Sequence, residues 1–223
     1  MLRRLLGRCW QPLLLSLVLA SATFAGDNRG AFPLEDRLQL IVQPRSVLAI
    51  DGDTGGQREE SLDLGERVLA QGADGRVAFA VTDRRLLAIA AGSGSFQEAR
   101  FTRGEALAAP AALGDRVALF VTNRRVIGFD GGSGNLVEAR LGPRERVERT
   151  AVANSVAVAA TARRALGLSP FRGGFFEVSL ALDEAELSLA ATGDIATLTT
   201  DQRILTFRAA TGGWEERRIG LGN

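Results

Sequence analysis

Glutamate and arginine, two residue types that can bind charged ligands, recur along the chain at a spacing of 39 or 40 residues. The glutamates are Glu59, Glu98, Glu138, Glu177 and Glu216. The arginines, single or paired, are Arg45, Arg84, Arg85, Arg124, Arg125, Arg163, Arg164 and Arg203. Carboxylates in such an array can bind cations or sugars, whereas guanidinium groups bind carboxylate, phosphate or sulfate through paired N–H donors. Both sets are therefore candidate binding residues.

The side chains that most enzymes use for catalysis are missing from most of this chain. It contains no His, Lys or Tyr, and its single Cys, Cys9, lies close to the N-terminus. Imidazole bases and lysine Schiff bases are therefore excluded, and zinc and haem sites lose their usual ligands. The sequence predicts a non-enzymatic protein with no catalytic residues, no metal site and no cofactor.

Residues 1–25 have the pattern of a secretory signal peptide: a basic start, the apolar run PLLLSLVLA and the small-residue end SATFA. We expect cleavage after Ala22 or Ala25, with an uncut anchor as the alternative. Residues 1–25 hold three of the 27 basic residues, so the remaining chain carries 24 arginines against 26 acidic residues. This balance argues against a nucleic-acid partner. The sequence predicts a periplasmic or secreted bacterial protein with no stable membrane span after cleavage.

The segment VTNRRVIGF at 121–129 recurs, with substitutions, at starts 42, 81, 160 and 199, so the chain contains five tandem copies. Each copy has two apolar runs separated by a polar break, then a turn such as GSGS or ATGG, then a third run such as FQEARF. A weaker fourth strand is expected near ERVLAQG and its equivalents. Four short strands in about 40 residues are typical of a β-propeller blade.

The predicted fold is therefore an all-β, five-bladed propeller that spans residues 26–223. The repeats fall near 36–73, 74–113, 114–152, 153–191 and 192–223. Because the last copy ends after its third strand, residues 28–35 are predicted to pair with it and close the ring, which would leave no exposed sheet edge. The chain is also predicted to be a monomer. The alternative is an open array, or one closed by a dimer.

The stretches TNRRVIGFDGGSGNLVEA and TDQRILTFRAATGGWEER resemble the repeat of quinoprotein-like (PQQ-like) propellers. The resemblance covers about residues 36–223 and includes a glycine in every copy. It implies a propeller fold. The tryptophan that packs between blades in that family is replaced here by the glutamate set in all five copies. Cofactor-dependent members of the family usually have eight blades, so the resemblance implies a non-catalytic binding scaffold for the chain.

Each of the two charged sets has a structural and a functional interpretation. We expect each glutamate to pair with an arginine of the same or the next blade and to dock the blades, because buried carboxylates are rare unless paired. The arginines lie in turns that share one face, where they would bind an anionic partner. The alternative is a solvated face that is neutralised by acids in neighbouring connections: Glu66, Glu105, Glu145 and Glu184.

Aspartate and asparagine residues in turns of the opposite face suggest a further alternative. They are Asp36, Asp74, Asp115, Asn154 and Asp194. Carboxylate pairs over a propeller channel would suit a glycosidase, but Asp and Asn are also ordinary turn formers. The sequence thus favours an exported scaffold that binds a protein or an anionic envelope partner. A lectin-like propeller with one small-ligand site per blade is the first alternative, and a glycosidase is the second.

Overall fold

The computed structural model describes residues 37–219, and all of them belong to one compact unit. Every regular element in this range is a β-strand. The strands form five consecutive antiparallel sheets, which we call blades 1 to 5. The predicted all-β class and the five repeated antiparallel sheets are therefore confirmed. No helix within the described residues is long and apolar enough to cross a membrane.

The strands follow one another in sequence order within each blade. Blade 1 contains β1 (Leu38–Gln43), β2 (Ser46–Asp51) and β3 (Gln57–Ser61). Blade 2 contains β4 (Val68–Asp74), β5 (Val77–Thr82), β6 (Arg85–Ala90) and β7 (Gln97–Arg100). Blade 3 contains β8 (Ala112–Leu113), β9 (Val117–Val121), β10 (Arg125–Asp130) and β11 (Asn135–Arg140). Blade 4 contains β12 (Val147–Ala153), β13 (Val156–Thr161), β14 (Arg164–Ser169) and β15 (Gly174–Ser179). Blade 5 contains β16 (Glu186–Thr192), β17 (Ile195–Thr200), β18 (Arg203–Arg208) and β19 (Gly213–Arg218).

The sheets begin one strand earlier than the sequence interpretation assumed. We expected β4 to be the fourth strand of the first repeat, but it pairs with β5 as the first strand of blade 2, with Asp74 opposite Val77. The reason is local, because only a two-residue turn joins β4 to β5, whereas a longer loop separates β3 from β4. Blade 5 consequently has four strands of its own. The predicted closing strand, residues 28–35, lies outside the described residues.

The hydrophobic core lies between neighbouring blades. Strands β5 and β6 are buried along their whole length, because both of their faces are covered. The rings of Phe79 in blade 2 and Phe120 in blade 3 meet edge to face, with centroids 5.0 Å apart. Between blades 4 and 5, a Cβ at Gly167 would lie 2.6 Å from the ring of Phe207, so only glycine allows this approach. Apolar burial thus joins each blade to the next.

Candidate anion-binding surface

The arginine at the end of the repeated turn is buried in blade 2 and mostly buried in blades 3 to 5, and we call the four the anchor arginines: Arg85, Arg125, Arg164 and Arg203. Arg85 shows their geometry. Its Nε and Nη2 atoms donate to the two carboxylate oxygens of Glu66 at 2.9 and 3.1 Å. Its Nη1 atom donates to Glu98 at 2.5 Å, and Nη2 also donates to the carbonyl of Ser61 in blade 1 at 2.6 Å. One guanidinium therefore links two blades and the loop between them.

The carboxylate of Glu66 is held from several sides. The hydroxyl of Thr82 donates to its Oε1 atom at 2.7 Å, and the backbone N–H of Asp63 donates to Oε2 at 2.7 Å. Burial alone would raise the pKa of Glu66, but the hydrogen bonds from Arg85, Thr82 and Asp63 outweigh it and lower this pKa to about 2. The group is therefore a fixed anion at neutral pH.

The same network recurs three more times along the chain. Its members are Glu105, Thr122 and Arg125; Glu145, Thr161 and Arg164; and Glu184, Thr200 and Arg203. The arginine Nε to glutamate Oε1 distances are 2.7, 2.8 and 2.8 Å. Each arginine also donates to a carbonyl at the end of the preceding blade. The hypothesis that these anchor arginines bind an external anion is therefore corrected, because carboxylates of their own chain occupy their donors.

Four of the five repeated glutamates also pair with the anchor arginines. Glu98, Glu138, Glu177 and Glu216 accept from the anchor arginine of their own blade at 2.5, 2.7, 2.6 and 2.7 Å. They join two strands within a blade, and the anchor arginine carries the contact to the preceding blade. Glu59 departs from this pattern because Ser46 takes the anchor position in blade 1, where its hydroxyl donates to Gln43.

The first arginine of each turn is exposed: Arg45, Arg84, Arg124 and Arg163. Where they make contacts, these side chains lie over the loop that enters their own blade. Arg84 donates to the carbonyl of Leu64 at 3.1 Å, and its Nη1 atom lies 3.7 Å from Asp63. Arg124 donates to the carbonyl of Arg103 at 2.8 Å, but Thr102 takes the position of that aspartate in blade 3. Arg124 therefore keeps an uncompensated charge.

Positive charge is concentrated on blades 3 and 4. We define the arginine surface as the exposed side chains of Arg103, Arg124, Arg144, Arg146 and Arg163. None of these five guanidinium groups forms an ion pair with a carboxylate of residues 37–219. The equivalent loops and turns differ in blade 2, where Asp63 and Asp83 are exposed beside Arg67 and Arg84, and in blade 5, where Asp183 and Asp201 are exposed. The face is therefore polarised, with its positive region at blades 3 and 4.

Arg144 has an unusual backbone conformation for a residue with a side chain. Its φ is 70°, and it is the one non-glycine residue of the described range in the left-handed region. Gly65 and Gly104 hold the equivalent loop positions at 78° and 75°. A side chain at such a φ costs on the order of 1 kcal/mol. Local strain of this kind clusters at binding sites, where the fold holds a side chain in a set direction.

Arg144 also lines the cavity between blades 3 and 4, which has a volume of about 890 Å³. Arg124 and Arg146 line the same cavity, and Val121 and Val147 contribute apolar walls. Its one carboxylate, Glu145, is held by Arg164, and the pKa of Glu145 is lowered because hydrogen bonds outweigh burial. The cavity can therefore receive an anionic group with three arginines as donors.

The acids predicted for turns of the opposite face were candidates for a glycosidase site. Within residues 37–219, no group of three or more His, Cys, Asp or Glu side chains is arranged to hold a metal ion. Asp51, the last residue of β2, shows a structural role for an acid beside a turn. It accepts N–H groups of Gly92, Asp53 and Thr54, and these bonds, the one from Gly92 most strongly, lower its pKa despite burial. Asp36 lies outside the described residues.

Sequence reasoning missed Arg103, Arg144 and Arg146 as members of the site. Part of the signal is present once the loops are aligned by their glutamates, because Arg103 then stands where blades 2 and 5 have leucine and Arg144 stands where blades 2 and 3 have glycine. Arg146 stands where blades 3 and 5 have alanine, although blade 2 has an arginine there. The repeated pattern drew attention to the shared residues instead. The binding candidates are those that break the repeat, since a repeated residue serves the contact that every blade makes.

Fold and site together define an all-β repeat protein of propeller-type blades with one basic region. No family model matches the chain, and no curated protein is significantly similar to it. Solved structures with local similarity include a chain of Kap60 bound to yeast RCC1 (Prp20), with 11% identity and a TM-score of 0.41. Kluyveromyces lactis Hsv2 has 8% identity and a TM-score of 0.38. YCF48 bound to D1 peptide has 15% identity and a TM-score of 0.34.

The three alignments cover 78%, 78% and 83% of this chain. They cover 54%, 58% and 71% of the other chains, so this chain spans little more than half the length of the first two. At these identities and TM-scores the similarities assign no function.

Proposed function

We propose that the chain is an exported bacterial scaffold that binds a protein or an anionic envelope partner through the arginine surface of blades 3 and 4. The proposal includes a closed, monomeric, five-bladed ring of the non-catalytic quinoprotein-like type. It also includes a periplasmic or secreted location after removal of residues 1–25. The signal-peptide pattern and the repeat resemblance support these parts.

The observation that carries the binding role is the cavity lined by Arg124, Arg144 and Arg146. Three guanidinium groups without carboxylate partners repel each other, and an anionic group placed between them relieves that repulsion. Arginine offers planar, paired donors that suit carboxylate and phosphate. The proposal also accounts for the strained backbone of Arg144, because this conformation holds the side chain at the cavity.

The surface is assigned binding rather than catalysis because its nearest carboxylates, Glu105 and Glu145, are locked in ion pairs with lowered pKa values. Neither is a free general acid or base. A lectin-like role with one equivalent site per blade has less support, because the exposed turn residues differ from blade to blade.

The test uses two labelled polyanions, polyglutamate and polyphosphate, with fluorescence anisotropy as the readout. The triple variant Arg124→Ala, Arg144→Ala, Arg146→Ala is expected to bind about tenfold more weakly or worse. The matched control removes the same charge from exposed arginines elsewhere: Arg58→Ala, Arg172→Ala and Arg217→Ala. Binding should weaken as salt rises from about 0.05 M to about 0.5 M. Equal losses in both triple variants, or no binding of either polymer, would overturn the proposal.

Export is tested separately by N-terminal sequencing of protein recovered from the envelope and the medium of a bacterial host. The mature chain is expected to begin at Thr23 or Gly26. Recovery of the full chain from the cytoplasm, with Met1 retained, contradicts this part of the proposal and leaves the binding role unaffected.

A further inference from the structure

A second, smaller cavity lies on the same face, between blades 2 and 3. Its volume is about 220 Å³, below the about 300–1,000 Å³ of pockets that hold whole ligands, so it has room for a single side chain. Its walls are mainly apolar: Leu69, Ala70, Val81, Phe101, Ala106 and Leu107. Of its two carboxylates, Glu105 is held by Arg125 and Asp83 accepts the N–H of Arg67. The cavity therefore favours an uncharged side chain.

Leu69 is the exposed wall of this cavity, with 67% of its surface accessible. The pairing of β4 with β5 shifts register between Val68 and Ala70, which makes Leu69 the bulged residue. A β-bulge re-aims a side chain away from the regular alternation. The bulge therefore explains why a leucine of this blade is turned toward solvent instead of into the core between the blades.

The two cavities are neighbours that share one wall, the segment 106–108. Ala106 and Leu107 line the apolar cavity, and Ala108 lines the basic one. The segment is held in place by hydrogen bonds from the Ala108 N–H to Val121 and from the Asn123 N–H to Ala106. An apolar subsite and a basic subsite are therefore separated by the width of a single chain segment.

The two cavities differ in size, at about 890 Å³ for the basic one and about 220 Å³ for the apolar one. Ala108 stands at the position that Leu69 occupies one blade earlier, counted from the glutamates Glu105 and Glu66. The smaller side chain of Ala108 contributes to the wider opening of the basic cavity. One cavity thus fits a compact apolar anchor, and the other fits a larger charged group with its water.

Resting on the proposed function, we infer that the partner is an extended polypeptide segment with one aliphatic or aromatic side chain next to acidic residues. The apolar side chain enters the cavity between blades 2 and 3, and the acidic side chains lie against the arginine surface. Charge complementarity selects the acidic part. A polyphosphate or a simple acidic polysaccharide has no apolar side chain to fill the first cavity, which favours a protein segment over an envelope polymer.

The test measures binding of synthetic peptides to the full-length protein. One set carries a leucine followed by a spacer and a run of glutamates; the matched set has alanine in place of the leucine. Spacers of about two to about five residues cover the separation of the cavities, because each extended residue adds about 3.3 Å. At one spacing, the leucine peptide is expected to bind about tenfold more tightly than the alanine peptide.

A pair of variants assigns that gain to the apolar cavity. Leu69→Glu is expected to remove the tenfold preference for leucine, because it puts a charge at the mouth of the cavity. Leu187→Glu is the control, since Leu187 occupies the same bulged position in blade 5 and is also exposed. Both changes lie on the surface and add the same charge. Circular dichroism confirms that both variants are folded.

The outcomes separate this inference from the proposed function. If the alanine and leucine peptides bind equally at every spacing, or if Leu187→Glu removes the preference as fully as Leu69→Glu does, the apolar subsite is overturned. Binding of the alanine peptide that depends on Arg124, Arg144 and Arg146 then still supports the anionic role. If no acidic peptide binds, both the inference and a protein partner for this surface fail.

Discussion

Arg85 and Glu66 form a two-point ion pair in which the side chains are only 5% and 0% exposed. The pair joins the first residue of β6 to the loop between β3 and β4, and the same guanidinium reaches the carbonyl of Ser61 in blade 1. Such a pair contributes specificity of arrangement more than net stability, because both charges lose their water. Breaking it, however, leaves a buried charge without a partner.

The substitution Arg85→Ala is therefore expected to lower the free energy of unfolding by about 3–5 kcal/mol. Arg84→Ala is the matched control, because Arg84 is the preceding residue, is exposed and has its nearest carboxylate at 3.7 Å. That control is expected to cost less than about 1 kcal/mol. Urea denaturation followed by circular dichroism measures both values. Equal losses in the two variants would contradict the assignment of Arg85 as an anchor.

Stability is expected to fall in acid because the anchored glutamates have lowered pKa values. Hydrogen bonds from Arg85 and Arg203, with those from neighbouring threonine hydroxyls and backbone N–H groups, outweigh burial and lower the pKa values of Glu66 and Glu184 from 4.5 to about 2. The unfolded chain therefore binds more protons between these values, and stability present above about pH 4.5 is lost as pH falls toward about 2. The limiting slope is about 1.4 kcal/mol per pH unit for each group.

Urea midpoints measured across this pH range check the acid dependence. Glu215→Gln is the control, because Glu215 is 62% exposed in its pair with Arg208 and should leave the profile unchanged. A profile that stays flat down to about pH 2.5 would mean that the anchored carboxylates are not the groups that respond.

Glu186 presents the opposite case, a carboxylate that burial disfavours. Its side chain is 8% exposed, and although Nε of Arg149 lies 3.0 Å from Oε1, no hydrogen bond reaches either oxygen. Burial raises its pKa, with Arg149 opposing and Glu148 adding to the rise. A raised pKa means that stability present at low pH is lost as pH rises through that value.

Replacement of Glu186 by valine is therefore expected to stabilise the protein by about 1 kcal/mol at neutral pH. Val68 and Val147 hold the equivalent positions in blades 2 and 4, so the side chain fits the repeat. The gain should shrink at about pH 4, where the glutamate is protonated. Thermal unfolding at both pH values tests this, and an equal gain at the two would mean that charge is not the cause.

Arg144→Gly should separate stability from binding. Glycine relieves the left-handed backbone, as Gly65 and Gly104 do in the equivalent loops, but it adds freedom to the unfolded chain. The net change in unfolding free energy is expected to stay within about 1 kcal/mol, whereas Arg144→Ala keeps the strain and should be less stable than the glycine variant. Both variants should bind polyglutamate more weakly than the parent. Unchanged binding in both would remove Arg144 from the arginine surface.

The repeat made most of the strands predictable. Alternating or continuous apolar runs, bounded by glycine turns, mark β5, β6, β9 and β10, and these strands are buried as the pattern indicates. The weaker strand β4 was found but assigned to the wrong sheet. Its sequence pattern is compatible with pairing to β3 of blade 1 or to β5 of blade 2. The two-residue turn after Asp74 decides in favour of β5.

The two arginines of one turn could not be told apart from their order in the chain. Arg84 lies in the turn and is exposed, whereas Arg85 begins β6 and is buried. Successive side chains of a strand point to opposite faces, so a shift of one residue exchanges their surroundings. A repeated arginine therefore carried no information about whether it met solvent or a buried carboxylate.

The sequence by itself determined the period, the number of sheets and the positions of the turns, because these depend on local pairing and on residues that lie close along the chain. Only the tertiary structure decided that Arg85 meets Glu66 and that Arg124, Arg144 and Arg146 share a cavity. The one carboxylate of that cavity, Glu145, is already paired with Arg164. Those relationships depend on how neighbouring blades pack against each other. That packing buries residues that are distant in the sequence, and a buried charge is tolerated only when an opposite charge or a hydrogen-bond partner is buried beside it.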